Sequence, residues 1–140
     1  MISNPIARYH RLPGARRRLL LRAALTLTFA SAAVALQPFR KAIRLGSIAL
    51  RRQRPNSPED IIWAVEATAR RMPWRTVCLQ KGLAAQRMLR ANGIDARLHY
   101  GVRHASADRD LEAHVWVTVG ERPVIGGEEA VGFAAVASFP

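Results

Sequence analysis

The 140-residue chain has a single cysteine, Cys78, so it cannot form a disulfide within itself. Nothing points to an oxidising compartment, and we expect the protein in the cytoplasm. The four histidines (His10, His99, His104 and His114) show no zinc-type spacing, so we predict no metal site. A phosphate-binding glycine loop is also missing, and the sequence predicts no cofactor.

Acidic residues are missing from the first third of the chain. Residues 1–54 contain twelve Lys or Arg and no Asp or Glu, whereas residues 55–140 contain ten of each sign. Such asymmetry favours an acidic partner, a membrane surface or nucleic acid, although a solvated basic helix face gives the same pattern. No nucleic-acid-binding motif is present and no aromatic residues alternate with the basic ones, so we expect no nucleic-acid partner.

Long apolar runs are also scarce. In the first third, residues 23–36 carry no charge, but these fourteen residues fall short of the roughly twenty that a membrane-spanning helix needs. A spanning helix is therefore not expected. A cleaved signal peptide is the alternative, because the stretch has a basic start, an apolar middle and an Ala-Ser-Ala site. Against it, Arg22 interrupts the apolar region and helix-like sequence follows directly.

The chain divides by composition into two regions. Residues 1–54 form a basic helical region, and residues 55–140 form the core of what we expect to be one compact domain. In the first region, residues 16–39 predict a helix that ends near Pro38. Residues 39–54 predict a second, shorter helix or two separate turns.

Two further helices are predicted in the core region. Ser57 is a favourable N-cap for the first of them. The second begins near Cys78, where Thr76 is the predicted cap, and it ends at Asn92-Gly93 through a left-handed residue.

Beyond residue 94 the apolar period changes from 3.6 to 2. Residues 95–103 and 111–119 alternate apolar and polar side chains, and residues 123–125 begin a third strand after a tight turn. Short connections predict an antiparallel meander. The fold class is therefore α+β, with N-terminal helices followed by a cysteine-bearing helix packed on a small antiparallel sheet.

Cys78 at a helix start is a candidate nucleophile. The unpaired N–H groups there stabilise a thiolate and can hold an oxyanion, although buried free cysteines without a reactive role are common. His114, inside the apolar strand "LEAHVWVTV", is the candidate base, with His99 and His104 as rivals. The alternative for His114 is a sheet histidine with a structural hydrogen bond. Trp116 lies on the same strand face and would shield the pair from water.

The motifs "CLQKGLAAQRMLRANGI", "GVR" and "AHVWV" occur in this order within residues 60–103 and 113–127. They resemble the leader peptidases of lasso-peptide biosynthesis, a branch of the transglutaminase-like cysteine protease superfamily that includes the C-terminal domain of a microcin-processing protein. The similarity extends loosely over the basic helices. It implies a transglutaminase- or papain-like core and a Cys-His-Asp triad, with Cys78 as nucleophile and His114 as base.

The third triad position departs from the family pattern. The family's aspartate matches Gly126 in "PVIGGEE". Glu128 is the nearest carboxylate and our candidate for orienting the histidine, and Glu129 is the alternative. Glu128 also fits an exposed turn residue, and a backbone carbonyl can orient the ring instead. Asp108 and Asp110, in a polar loop, are weaker candidates.

The resemblance implies a hydrolase of ribosomal-peptide maturation that removes the leader from a lasso-peptide precursor before a separate cyclase closes the macrolactam. Some members carry a fused leader-recognition domain, for which this chain is too short, so a separate small leader-recognition protein is the expected partner. The basic helices of residues 8–54 are the candidate docking surface for partner, leader or membrane. There are two alternatives. One is another transglutaminase-like acyltransferase or amidase, and the other is a catalytically decayed basic adaptor.

Overall fold

The computed structural model describes residues 4–52, 54, 56–104 and 110–140, and it confirms the α+β class. Helices come first and an antiparallel sheet follows. The elements are α1 (Pro5–His10), α2 (Gly14–Leu36), α3 (Phe39–Ala42), a 3-10 turn (Ile43–Leu45), α4 (Pro58–Ala69), α5 (Cys78–Ala91), β1 (Ala96–His104), β2 (Leu111–Val119), β3 (Arg122–Ile125) and β4 (Ala134–Phe139).

Helix α2 packs against both α4 and α5 through one buried stripe. The stripe residues follow one another at helical spacing: Leu19, Ala23, Leu27 and Ala30. Most of them join the same apolar core as α4, α5 and the sheet. The division of the chain at residue 54 stays a prediction, because nothing in the structure tests it.

Within the described residues, α2 is also the one helix long and apolar enough, by length and composition, to cross a membrane. It runs over 23 residues and is thus longer than its uncharged stretch. Buried helices of soluble proteins and signal sequences near an N-terminus meet the same criterion. The finding therefore identifies an unusually apolar helix and assigns it no location.

The second predicted helix is much shorter than residues 39–54. Helical structure ends at Leu45, and the backbone of residues 47–52 is irregular. This irregular segment bonds to the end of α5 instead of to itself. The Arg51 N–H donates to the carbonyl of Arg90 at 3.1 Å, and the Arg90 guanidinium donates to the carbonyl of Ile48 at 2.6 Å.

Helix α4 begins as predicted, because the Ser57 hydroxyl accepts a hydrogen bond from the Asp60 N–H at 3.2 Å. The prediction of Thr76 as the cap of α5 is wrong. The N-cap is Val77, whose N–H donates to the Gln80 side chain at 2.7 Å. The Thr76 hydroxyl instead faces the end of α4.

The sheet has the order β3-β2-β1-β4, with all neighbours antiparallel. Its inner face presents Leu98, Val115 and Val117 to α5. Gly82 of α5 permits this close packing, because a Cβ there would lie 3.1 Å from the Val115 side chain and 3.2 Å from that of Leu98. Three strands form the predicted meander, and β4, which was not predicted, pairs with the other edge of β1.

Candidate active site

An open cleft of about 740 Å³ lies at the start of α5. Its walls come from α4, α5, β2 and the segment around the end of β3. The polar and glycine residues that line it are Glu66, Thr76, Cys78, Lys81, His114, Gly126, Gly127, Glu128 and Glu129. The three predicted site residues, distant in sequence, therefore line one cavity.

Cys78 is the first residue of α5 and is half-buried. The cap residue before it, Val77, has no side-chain acceptor, and no side chain in the described part of the chain caps the N–H groups of the first turn. These N–H groups are oriented toward the region beyond the helix start. They are therefore available to a negatively charged atom that forms beside the Cys78 sulfur.

His114 is held by a backbone carbonyl. Its Nε2 lies 2.9 Å from the carbonyl oxygen of Gly126. Because a carbonyl only accepts, Nε2 carries the proton in this hydrogen bond, and the neutral ring keeps its lone pair on Nδ1. The ring also stacks on Trp116 and lies 5.4 Å from the Phe133 ring, measured between centroids. The hydrogen bonds of the described residues include none between His114 and the Cys78 thiol.

The backbone at Gly126, the position predicted to match the family's aspartate, suits a glycine. Its φ of +68° is in the left-handed region that favours glycine. A Cβ there would lie 2.9 Å from the Val115 carbonyl oxygen and 3.1 Å from His114 Nε2. A side chain at residue 126 would therefore crowd the atom that it is expected to orient, and the glycine carbonyl makes the hydrogen bond instead.

The candidate carboxylates make no hydrogen bond to the His114 ring among the described residues. Glu128 and Glu129 line the cleft but are exposed, and the hydrogen bond found on the His114 ring goes to Gly126. Asp108 lies outside the described residues. The role predicted for Glu128 thus stays a prediction.

An ion pair across the cleft was not predicted from the sequence. Lys81 Nζ lies 3.3 Å from a Glu66 carboxylate oxygen and connects α5 to α4, with both side chains about two-thirds buried. Lys81 is three residues after Cys78, so it lies on the same helix face. That spacing is the signal that could have revealed it. The pair places one cation in the cleft that contains Cys78 and neutralises that cation with an acid of α4.

The rival histidines have different surroundings. The two ring nitrogens of His99 lie 2.8 Å from the hydroxyls of Ser138 and Thr118. Burial, and secondly the charge of Arg97, hold the pKa of His99 below its usual value. His104 is exposed at the end of β1. Neither lines the cleft that contains Cys78.

A cysteine-bearing helix packed on a small antiparallel sheet, behind N-terminal helices, is the architecture of the transglutaminase-like class. The family model described as "Transglutaminase-like superfamily" matches residues 21–138, and the chain belongs to that superfamily. Its members are typically cysteine proteases or transferases. A search of curated proteins and a search of solved structures gave no match. The superfamily part of the sequence resemblance is thereby confirmed.

Proposed function

We propose that the protein is a cysteine peptidase that cleaves the leader from a lasso-peptide precursor. The observation that carries the proposal is that Cys78 and His114 line one cleft, with the His114 ring held so that Nδ1 keeps its lone pair. Membership of the superfamily supports cysteine peptidase or acyltransferase chemistry. The choice of a lasso-peptide leader as substrate rests on the sequence motifs.

In this proposal the Cys78 sulfur attacks the carbonyl carbon of the leader–core peptide bond. His114 Nδ1 takes the thiol proton and passes it to the departing amine of the core peptide. The oxyanion is held by the N–H groups of the first turn of α5. A water molecule, deprotonated by the same nitrogen, then hydrolyses the thioester, which frees the leader as a carboxylate and restores the thiol.

The Gly126 carbonyl orients the ring in this scheme, while Glu128 is the carboxylate predicted for that role. A carbonyl fixes the tautomer and the ring direction, as the third member of a triad does. Being neutral, it stabilises the imidazolium intermediate less than a carboxylate would. We therefore expect modest turnover, with the precursor positioned by other contacts.

The proposed partners are a separate small leader-recognition protein and a cyclase that receives the freed core, all in the cytoplasm. Among the arginines of the first region, Arg16 already binds within the chain. It lies 3.7 Å from Asp60 and its guanidinium lies 4.7 Å from the centre of the Trp63 ring. Charge reversal of Arg17 and Arg18 is therefore the cleaner test of partner and leader binding, and unchanged binding would remove these helices from the interface.

The deciding experiment incubates a precursor peptide and leader-recognition protein with the full chain and records product masses. Hydrolysis gives two fragments, leader and core, and Cys78→Ala abolishes both while the circular dichroism spectrum is retained. A heavier adduct with an added amine identifies an acyltransferase instead. Cleavage that persists in Cys78→Ala, or no product with the native chain, refutes the peptidase proposal and favours a decayed adaptor.

A further inference from the structure

We infer that the outward face of α2 docks the protein on an anionic membrane surface. The face is defined by the α2 ridge, four large apolar side chains with exposed fractions of 56, 62, 65 and 83%: Leu21, Leu25, Phe29 and Leu36. This inference is independent of the proposed cleavage step, because the face lies outside the cleft that contains Cys78.

The α2 ridge is unusual for a helix on the surface of a soluble domain. At 100° per residue its four side chains fall within an arc of roughly 80°, opposite the buried stripe of the same helix. A surface helix normally places polar residues there. Because α2 is apolar on both sides and only one side is covered, the ridge is an apolar patch of the kind that marks interaction sites.

Arginines line the depressions on both sides of the α2 ridge. One depression, of about 410 Å³, includes Leu21 and is lined by Arg8, Arg70 and Arg71. The other, of about 450 Å³, includes Leu25 and Phe29 and is lined by Arg22, Arg51, Arg54 and Arg87. Among the described residues, none that lines either depression is acidic. The apolar ridge therefore runs between two cationic borders.

This arrangement fits a lipid headgroup layer better than the other occupants. Headgroup phosphates extend over both borders at once and match the guanidinium fork, while the ridge reaches the acyl boundary. A second copy of the chain would place arginine against arginine, which disfavours it. A spanning position is disfavoured too, because Ala23 and Leu27 on the opposite side are fully buried within the domain.

Docking through this face leaves the cleft accessible. The residues that line the cleft are different from those that line the two depressions. The cleft is lined by three acids, Glu66, Glu128 and Glu129, and by one lysine. This excess of negative charge disfavours binding of anionic lipid in the cleft. The chain thus separates a cationic, apolar attachment surface from a more acidic cleft.

The test measures co-sedimentation of the full chain with vesicles of phosphatidylcholine alone or mixed equally with phosphatidylglycerol. We expect at least about tenfold stronger partitioning to the anionic vesicles, which weakens as salt rises above about 0.1 M. Arg18 and Arg22 are exposed arginines on the ridge side of α2. Arg18→Gln with Arg22→Gln should lower partitioning by about 25-fold, at about fivefold for each. Leu25→Ser with Phe29→Ser should lower it by about tenfold or more.

The matched control is Leu111→Ser with Val136→Ser, which removes two exposed apolar side chains from the sheet and should leave partitioning unchanged. Three outcomes would each refute the inference: no binding to vesicles, equal binding to both vesicle types, or α2 variants that bind as the native chain does. If the native chain ignores vesicles and the α2 variants lose a leader-recognition protein, the face is a protein interface. None of these readouts uses cleavage, so they leave the peptidase proposal to its own test.

Discussion

Two histidines stack on one tryptophan, yet they have different hydrogen-bond partners. The rings of His99 and His114 both stack on Trp116, with interplanar angles of 18° and 19°. His99 has a hydroxyl at each nitrogen, and a hydroxyl can donate or accept. His114 has a carbonyl at one nitrogen, which fixes the tautomer and leaves the other nitrogen unprotonated. The comparison teaches that the type of hydrogen-bond partner fixes the tautomer of His114 and leaves that of His99 open.

The largest effect on cleavage should come from replacing His114 with glutamine, and His99→Gln is the matched comparison. Loss of a general base typically costs 10² to 10⁴ in rate, so we expect His114→Gln to lower kcat/KM for precursor cleavage by about 10³-fold. His99→Gln keeps hydrogen-bonding capacity next to Ser138 and should cost less than about threefold. Equal losses in the two variants would mean that the stack on Trp116, and not a base, is what cleavage needs.

Alanine at two glycines of positive φ tests the carbonyl that holds His114. Gly120→Ala should lower the unfolding free energy by about 1 kcal/mol. A Cβ there meets no neighbouring atom, so the cost comes from the left-handed backbone conformation alone. Gly126→Ala should cost about 2 kcal/mol or more and lower cleavage about tenfold, since its Cβ also meets Val115 and His114. Denaturant unfolding and product masses measure both. Equal behaviour of the two variants would show that the approach to His114 is unimportant.

The pH dependence of the free energy of unfolding should report on His99. Since the pKa of His99 is below its usual 6.5 in the folded protein, the unfolded chain binds more protons in the interval between the two values. This contribution to stability is complete above pH 6.5 and is lost as the pH falls through the folded pKa. Unfolding free energies should therefore decline less steeply on acidification in His99→Gln than in the native chain. Parallel curves would contradict the assignment.

The smallest effect should come from the carboxylates of the cleft. If the Gly126 carbonyl orients His114, Glu128→Gln should lower kcat/KM by less than about threefold, similar to Glu129→Gln as the matched control. A tenfold loss in Glu128→Gln alone would assign it the orienting role that the sequence predicted. Initial rates of precursor cleavage at saturating and limiting concentration distinguish the outcomes.

Elements with strong local signals were predictable from the sequence. The Ser57 cap, the left-handed Gly93 and the first three strands follow from side-chain chemistry or apolar period, and all are found. Strand β4 was missed because "AAVASF" is short, rich in small residues and mostly exposed, so no apolar alternation marks it. The prediction of Thr76 as cap was wrong because the helix begins one residue later. There the Gln80 side chain accepts the hydrogen bond of the Val77 N–H.

The candidate site was predictable only where side chains carry it. Cys78 and His114 were identified by residue type and position, and the structure places them in one cleft. The Gly126 carbonyl gives no sequence signal, since every residue has one, and only the fold shows which carbonyl approaches the ring. The opposite apolar faces of α2 were likewise hidden, because burial of one face and exposure of the other depend on tertiary packing.

The position of β4 has a consequence for how the chain folds. Strands β1 to β3 pair with sequence neighbours and can form early, whereas β4 must close a long loop before it reaches β1. Until then one edge of β1 has unpaired backbone groups, the kind of edge that templates aggregation. Arg97, an exposed residue of this strand, supplies charge that opposes pairing with another chain, so β1 is protected against aggregation while β4 is still unpaired.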